Sequence, residues 1–236
     1  MAVLNEHFFV SKQAMTEALA ELLQTELQAA TAEGNEAVLM VSGGSSPKAA
    51  YEYLSGVDLA WDKITVAMVD ERWVDANHDK SNEAFIKATL LQNKAQHARF
   101  VTMKNSAQTA QAGQVECEAA YQTLQKPFAV SILGMGPDGH TASLFPHADG
   151  LAHALTTADL TAAINAIESE VTGKITERMT LSLAGIAAAK QVVLLISGED
   201  KRAVYEQAKQ AGDVADMPLR AVLQHPDINL TVFWAP

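Results

Sequence analysis

Cysteine is nearly absent from the sequence, and basic residues are scarce. Cys117 is the single cysteine among 236 residues, which excludes an intramolecular disulfide and a multi-cysteine metal site. Lysine and arginine number 17 against 28 aspartates and glutamates, giving a formal net charge of -11. Broad nucleic-acid binding needs clustered basic residues, so the composition argues against nucleic acid as a partner. An anionic ligand would need a local group of cations.

Long hydrophobic runs are also missing. No stretch approaches the roughly 18 uninterrupted apolar residues of a membrane-spanning helix. Residues 1–12 contain no basic segment followed by an apolar core. We therefore expect a cytoplasmic protein with no membrane partner. A composition that is 48% hydrophobic and 19% charged suits one globular domain over residues 1–236, and we expect a monomer.

Apolar runs alternate with amphipathic segments along the chain. Apolar runs and alternating patterns predict strands at 37–41, 64–69, 99–102, 128–133, 177–183, 192–196 and 229–234. Helical spacing predicts helices over 11–32, 81–91 and 107–124, and a further helix that has Lys201 in its first turn and ends at Gly212. This order predicts an α/β fold, three-layer αβα with a mostly parallel, doubly wound sheet and Rossmann-like in topology. Residues 152–171 carry no clear pattern.

A loop of serine and glycine follows the strand at 37–41: Ser42, Gly43, Gly44, Ser45 and Ser46. We expect Ser46 to cap the next helix and Pro47 to take its first position, so that free backbone N–H groups face outward. Such helix N-termini bind phosphate. The loop is not a P-loop, because G-x-x-x-x-G-K-[ST] is absent. A plain strand-to-helix turn is the alternative.

Charged side chains follow two further strands. Asp70, Glu71 and Arg72 come directly after the strand at 64–69, and we expect them to pair and to face a shared crevice, because unpaired buried charges are costly. A solvated turn is the alternative. Lys201 follows the strand at 192–196 and is expected in the first turn of a helix. A cation near a helix N-terminus is disfavoured by the helix macrodipole. Binding of an anion by Lys201 would explain a lysine at this position, and an exposed lysine without a ligand is the alternative.

A histidine stands in the glycine-rich loop that follows the strand at 128–133. The loop matches G-x-G-x-x-G, the dinucleotide fingerprint, at Gly134, Gly136 and Gly139. We reject that interpretation because no acidic residue ends a strand about 20 residues on. In addition, Asp138 and His140 put side chains where the fingerprint needs close backbone approach. Since histidine ordinarily titrates near neutral pH, His140 is a candidate general base.

Parallel strands place their carboxyl ends on one edge of a sheet, where α/β proteins bind ligands. The strands that end at residues 41, 69, 133 and 196 carry the four groups just described. We therefore expect the glycine loop, the 70–72 segment, His140 and Lys201 to meet in one crevice.

Six segments resemble the 6-phosphogluconolactonase family of the glucosamine-6-phosphate isomerase-like superfamily, and they occur in family order: SGGSSPKAAY, VDERWV, SNEAFIKATLL, LGMGPDGHTASLFP, RMTLSL and SGEDK. They span residues 42–201, and the final strand resembles the family's closing strand. The longest segment is specific, whereas the SGG loop and SGEDK are shared across the superfamily. The resemblance implies hydrolysis of 6-phospho-D-glucono-1,5-lactone to 6-phosphogluconate, the second step of the oxidative pentose phosphate pathway. It implies no cofactor.

The resemblance also implies roles for site residues. The loop 42–46, Arg178 and Lys201 match the family's phosphate-binding positions. His140 would activate water, and direct attack by water is favoured over an acyl-enzyme because no G-x-S-x-G motif is present. No metal is required.

Two questions about these roles stay open at the level of sequence. Asp138 or Asp70 could orient the ring of His140. Arg72 could stabilise the oxyanion that forms on the carbonyl or could clamp the substrate.

Amino-sugar phosphate deaminases of the same superfamily are the main alternative. Their corresponding segments carry Met-Asp-Glu-Tyr and GHIAFNEP, whose Glu assists ring opening and proton handling. Here Arg72 replaces the Tyr, and Phe145, which cannot carry a proton, replaces the Glu. Both departures favour a lactonase. A non-catalytic sugar-phosphate sensor is a further alternative, but such sensors usually carry a DNA-binding segment, for which the chain offers no basic region.

Overall fold

The computed structural model describes residues 2–236 and contains ten strands: β1 (Val3–Phe8), β2 (Ala37–Val41), β3 (Ile64–Met68), β4 (Asp70–Arg72), β5 (Arg99–Val101), β6 (Phe128–Gly134), β7 (Thr161–Asn165), β8 (Glu177–Leu181), β9 (Ala189–Ser197) and β10 (Asn229–Ala235). Seven of them form one sheet in the order β1-β10-β9-β6-β2-β3-β5. Every neighbouring pair in that sheet is parallel. A second sheet, β4-β8-β7, is antiparallel.

In the part of the chain that the structure describes, eight α-helices connect or cover these strands: α1 (Lys12–Ala30), α2 (Lys48–Ser55), α3 (Asn82–Thr89), α4 (Ala110–Gln122), α5 (Leu151–Thr156), α6 (Leu183–Ala187), α7 (Glu199–Ala208) and α8 (Leu219–Gln224). Within residues 2–236, none of the helices combines the length and the apolar character needed to cross a bilayer.

The central strands are buried on both faces. All five residues of β2 and the first six of β6 are buried, so both sides of the sheet are covered. Parallel strands buried in this way read as continuous apolar runs, which is why the sequence located them. The predicted α/β fold with a mostly parallel sheet is confirmed.

Side-chain caps fix the starts of two long helices. The hydroxyl of Ser11 accepts the N–H of Ala14 at 3.1 Å, so the predicted cap of α1 is confirmed. The predicted end was wrong, because α1 stops at Ala30 and a short 3-10 turn carries the chain on to Gly34. The start of α4 also lies later than predicted, since Thr109 caps it by accepting the N–H of Ala112.

The sequence did not predict β1 or the second sheet. All six residues of β1 are exposed at the edge of the large sheet, so the strand lacks the apolar run of a buried strand. The 70–72 segment was expected to be a strand exit, but it pairs with β8 as β4. The unassigned residues 152–171 contain most of α5 and all of β7.

The outer edge of β7 is covered by α4. The carboxylate of Glu118 accepts the backbone N–H groups of Leu160 and Thr161 at 3.0 and 2.8 Å and the hydroxyl of Thr161 at 2.6 Å. Gln114, one turn earlier, accepts the N–H of Ala163 at 3.1 Å. Side chains of α4 thus accept the backbone N–H groups at this edge of β7, in the place where a further strand of the sheet would accept them.

We predict that Glu118→Gln lowers the free energy of unfolding at neutral pH by about 1–3 kcal/mol, because an amide cannot accept all of these donors. Burial opposes ionisation of Glu118, but the hydrogen bonds from Thr161 and Leu160 outweigh it and lower its pKa. A lowered folded-state pKa contributes stability above the unfolded pKa, and this stability is lost as the pH falls through the folded pKa. The difference between wild type and variant should therefore shrink in acid.

Urea unfolding at several pH values measures this difference. Glu116→Gln, an exposed change on the same helix, is the control and should leave stability nearly unchanged. A constant difference across the acidic range would contradict the assignment.

Candidate active site

One cavity of about 350 Å³ lies at the carboxyl ends of β2, β3, β6 and β9. Its wall includes every predicted site residue except Asp138, which instead contacts the ring of His140. The predicted meeting of the four strand ends is therefore observed. The wall also contains residues that were not predicted as site residues, among them Asn82 from the start of α3 and Val171 from the loop before β8.

The glycine loop after β2 packs closely against α3. Gly44 has a φ of +94°, in the left-handed region that favours glycine. A Cβ atom on Gly43 would lie 2.0 Å from Oδ1 of Asn82, so only glycine fits there without displacing that amide. The loop and the helix therefore share one wall of the cavity.

The predicted cap of α2 is wrong. The helix begins at Lys48 with Pro47 in the capping position, and no side chain makes a capping hydrogen bond. The chain already turns before the helix, where the N–H of Lys48 donates to the carbonyl of Ser45 at 3.4 Å. Ser46 lines the cavity instead.

His140 is held by Asp138 in the loop after β6. Nδ1 of the ring lies 2.5 Å from Oδ1 of Asp138, and the backbone N–H of His140 donates to the same oxygen at 3.2 Å. An ionised carboxylate only accepts, so this contact requires the proton on Nδ1, and in the neutral imidazole Nε2 is then an acceptor. Burial opposes ionisation of Asp138, but the hydrogen bond and charge of His140 outweigh it and lower its pKa.

An aromatic ring packs against His140 on the cavity side. The ring of Phe145 has its centroid 4.2 Å from that of His140, and the guanidinium of Arg178 lies 5.6 Å from the Phe145 centroid. Phe145 is buried and lines the cavity. Phe145 therefore contacts both the imidazole and the nearby cation.

The charged residues of β4 point in two directions. Asp70 and Arg72 line the cavity, while Glu71 is fully buried on the opposite face, as the alternation of a strand requires. The prediction that all three would face the crevice is therefore wrong for Glu71. Its carboxylate accepts the hydroxyl of Ser81 and the N–H groups of Asn82 and Glu83, each at 2.8 or 2.9 Å.

Asp70 makes contacts other than the predicted one to the imidazole. Its Oδ2 accepts the hydroxyl of Ser143 at 2.6 Å, and its Oδ1 accepts Nδ2 of Asn82 at 3.2 Å. Of the two carboxylates considered for orienting His140, Asp138 is the one in contact with the ring.

Arg178 is almost completely buried in β8, with 3% of its surface exposed. It donates to the backbone carbonyls of Thr172, Ile175 and Glu177, and so holds the loop that carries Val171. Burial lowers the pKa of Arg178 to about 10, and the positive charge of Arg72 adds to this effect. Arg72 and Arg178 are direct partners across the strands β4 and β8.

Lys201 lies in the first turn of α7, as predicted, and burial lowers its pKa. In the described part of the chain, neither Lys201 nor Arg72 nor Arg178 forms an ion pair with a carboxylate. The cavity thus holds three cations that form no ion pair and one carboxylate, that of Asp70, and this excess of positive charge suits an anion. This concentration of positive charge occurs in a chain of net charge -11.

Residues 2–236 contain no group of three or more His, Cys, Asp or Glu side chains arranged to hold a metal ion.

Comparison with known proteins points to one family. The family model described as glucosamine-6-phosphate isomerases/6-phosphogluconolactonase matches residues 10–234. A 6-phosphogluconolactonase from Rhizobium meliloti is 40% identical over 232 residues, which cover 98% of this chain and 99% of the relative. The crystal structure of a 6-phosphogluconolactonase from Shewanella baltica superposes with a TM-score of 0.92 at 38% identity, covering 100% of this chain and 98% of the other.

The fold alone is shared more widely. A monomeric glucosamine-6-phosphate deaminase superposes with a TM-score of 0.77 at 17% identity, with 97% of each chain covered. Similarity of fold therefore does not distinguish a lactonase from a deaminase. The distinction has to come from the side chains of the cavity.

Close packing around His140 gives a test of the site geometry. A methyl group on Gly136 would lie 2.0 Å from Cε1 and 2.1 Å from Nδ1 of His140. We predict that Gly136→Ala displaces the ring and lengthens the Nδ1 to Oδ1 distance to Asp138 beyond hydrogen-bonding range. A crystal structure of the variant measures this distance.

Gly56→Ala is the control, because a methyl group there meets its nearest neighbour at 3.6 Å, an ordinary contact. An unchanged contact between His140 and Asp138 in the Gly136 variant would show that the loop has more room than the structure indicates.

Proposed function

The chain belongs to the glucosamine-6-phosphate isomerase/6-phosphogluconolactonase family, and on that premise we propose that it hydrolyses 6-phospho-D-glucono-1,5-lactone to 6-phospho-D-gluconate. The curated relatives that carry this activity in their names match it over nearly their full length. In metabolism this is the second step of the oxidative pentose phosphate pathway.

One observation carries the proposal. The imidazole of His140, in contact with Asp138, lies in the same cavity as three cations that form no ion pair in the described residues. Lactone hydrolysis needs a base for water and positive charge for an oxyanion, and a phosphorylated substrate needs further positive charge at its other end. The cavity supplies all of these groups.

We assign the chemical steps as follows. Nε2 of His140 takes a proton from a water molecule, whose oxygen attacks the lactone carbonyl carbon and forms a tetrahedral oxyanion. When the oxyanion collapses, the bond from the carbonyl carbon to the ring oxygen breaks. The ring oxygen takes the proton back from His140, and the new carboxylic acid ionises. The negative charge of Asp138 stabilises the intermediate imidazolium.

We assign the phosphate group to the loop Ser42–Ser46 and Lys201, together with Arg178. Binding energy from the phosphate holds the reacting carbon near His140, which raises the rate of the chemical step. Arg72 serves either the oxyanion or the substrate clamp. Loss of kcat alone in an Arg72 variant would indicate the first role, and a rise in KM alone the second.

Phe145 favours hydrolysis over deamination. A phenyl ring cannot transfer a proton, and here it packs against the imidazole that we assign as the base. Release of ammonia from glucosamine 6-phosphate by the purified protein would contradict this argument.

Turnover of the lactone is the direct test. Glucose-6-phosphate dehydrogenase generates the lactone in situ, and formation of 6-phosphogluconate is followed at about pH 6.5, where hydroxide-assisted spontaneous hydrolysis is slow. We predict clear acceleration by the wild-type protein and a kcat lower by about 10²–10⁴-fold in His140→Ala. His97→Ala removes an exposed histidine outside the cavity and should retain wild-type activity. No acceleration by the wild type would overturn the proposed function.

Lys201 gives a separate test of phosphate recognition. We predict that Lys201→Met raises KM for the phosphorylated lactone by about 10- to 100-fold, the usual effect of losing a hydrogen bond to a charged group. Turnover of unphosphorylated glucono-1,5-lactone should change much less. Lys63→Met, at an exposed position, is the control. Lys201 is a cleaner test than Arg178, whose removal would also release the carbonyls of the 172–177 segment.

Equal losses for both lactones in the Lys201 variant would show that this side chain does not recognise the phosphate group.

A further inference from the structure

We propose that Asn82 is a positioning residue of this active site: its side-chain amide bridges Asp70 and Arg72, keeps them from forming an ion pair, and so keeps Arg72 available to the substrate. The inference rests on the proposed function, because it assigns Arg72 to an anionic ligand or transition state.

The amide of Asn82 contacts both charged groups at once. Nδ2 donates to the backbone carbonyl of Asp70 at 3.0 Å and to its Oδ1 at 3.2 Å, while Oδ1 accepts Nη1 of Arg72 at 2.7 Å. The side chain is therefore oriented by charge, with its oxygen toward the cation and its nitrogen toward the carboxylate. Asn82 is only 4% exposed and lines the cavity.

Asp70 and Arg72 are placed to pair but do not. They are two residues apart on β4, so their side chains leave the same face of the strand. In the described residues they form no direct ion pair, and the amide occupies the space between them. A direct pair would neutralise the guanidinium in advance, whereas a neutral amide leaves its net charge in the cavity.

Glu71 holds the backbone of Asn82 on the face of β4 opposite the cavity. The backbone N–H of Asn82 donates to Oε1 of Glu71 at 2.8 Å, and the N–H of Glu83 donates to Oε2 at 2.8 Å. A carboxylate at a helix N-terminus is stabilised by the helix dipole as well as by these bonds. The first turn of α3 is thus attached to the strand that carries Asp70 and Arg72, and the amide has a defined position.

Helix formation does not itself require an amide at this position. Ser81 already caps α3, accepting the N–H of Ala84 at 3.2 Å, and asparagine is a poor helix former. The contacts of the Asn82 side chain go to groups of the cavity rather than to its own helix: Asp70, Arg72 and the space beside Gly43. These contacts support a role in the site.

Two variants test the inference. In Asn82→Ala we expect kcat/KM for the lactone to fall by about 10- to 100-fold, as for other hydrogen bonds to charged groups. A crystal structure of the same variant should show Asp70 and Arg72 in a direct ion pair. Asn105→Ala is the matched control: this amide also bridges backbone groups, Gly113 and Ala107, but lies outside the cavity, so activity should stay at the wild-type level.

Asn82→Asp adds a readout that a purely structural role would not move. The charged groups facing this residue are Asp70 and Arg72, which contact its side chain, and the carboxylate of Glu71, which accepts its backbone N–H. An ionised carboxylate would repel the first and neutralise the second, whereas a protonated carboxyl has the same donor and acceptor arrangement as the amide. The activity of this variant relative to wild type should therefore rise as the pH is lowered from about 8 to about 5, where carboxyl groups begin to protonate.

The outcomes separate the two proposals. An inactive wild type overturns the proposed function, and the crystal structure of Asn82→Ala then still tests the geometry. An active wild type with unchanged kcat/KM in Asn82→Ala, or with Asp70 and Arg72 still apart in that variant, overturns the positioning role. If Asn82→Ala fails to fold, a flat activity ratio of Asn82→Asp across pH overturns it.

Discussion

The parallel pairing of β2, β3, β6 and β9 is the constraint on which the cavity depends. The register of these strands aligns Met40 with Ala67 and with Ser131, and Leu133 with Leu194, and because all four run in the same direction their carboxyl ends lie at one edge of the sheet. Each strand is a short apolar run, and each is followed by a segment that contains glycine or charged residues. Burial of the runs therefore determines where the polar segments meet, without any direct attraction between them.

Strand alternation then sorts the charges of the small sheet. On β4, Asp70 and Arg72 enter the cavity while Glu71 turns away to hold α3. Burial raises the pKa of Glu71, and the hydrogen bonds from Asn82, Glu83 and Ser81 only partly offset this. The carboxylate nevertheless has four donors, since the N–H of Arg72 also contacts it at 2.8 Å. One run of three charged residues thus serves both the cavity and the helix behind it.

The sequence was informative where a local pattern decides the structure. The buried strands and the cap at Ser11 depend on neighbouring residues, and both were predicted. So was the approach of His140 and Lys201 to the glycine loop, because parallel strands share an edge. The pairing of β4 with β8 and the burial of Arg178 depend on residues about a hundred positions apart, for which the sequence carries no local signal.

Some details of the site were beyond sequence reasoning for the same reason. Asp138 and Asp70 were equal candidates for contact with His140, and only the loop conformation distinguishes them. Asn82 lies at the start of a predicted helix, directly after Ser81. Its role depends on contacts of its amide with β4, about ten residues earlier in the chain, which the sequence does not reveal. The single local hint was an asparagine directly after a serine cap, where helix propensity does not favour it.

The cross-strand pair of Arg72 and Arg178 couples the small sheet to whatever occupies the cavity. Like charges directly opposite each other weaken a sheet, and burial of Arg178 adds to that cost. An anion that contacted both guanidiniums would offset this repulsion, and by thermodynamic linkage any ligand that binds the folded state alone would raise its stability. Resistance to proteolysis near residues 166–176, the loop to which Arg178 donates, would then report occupancy of the cavity.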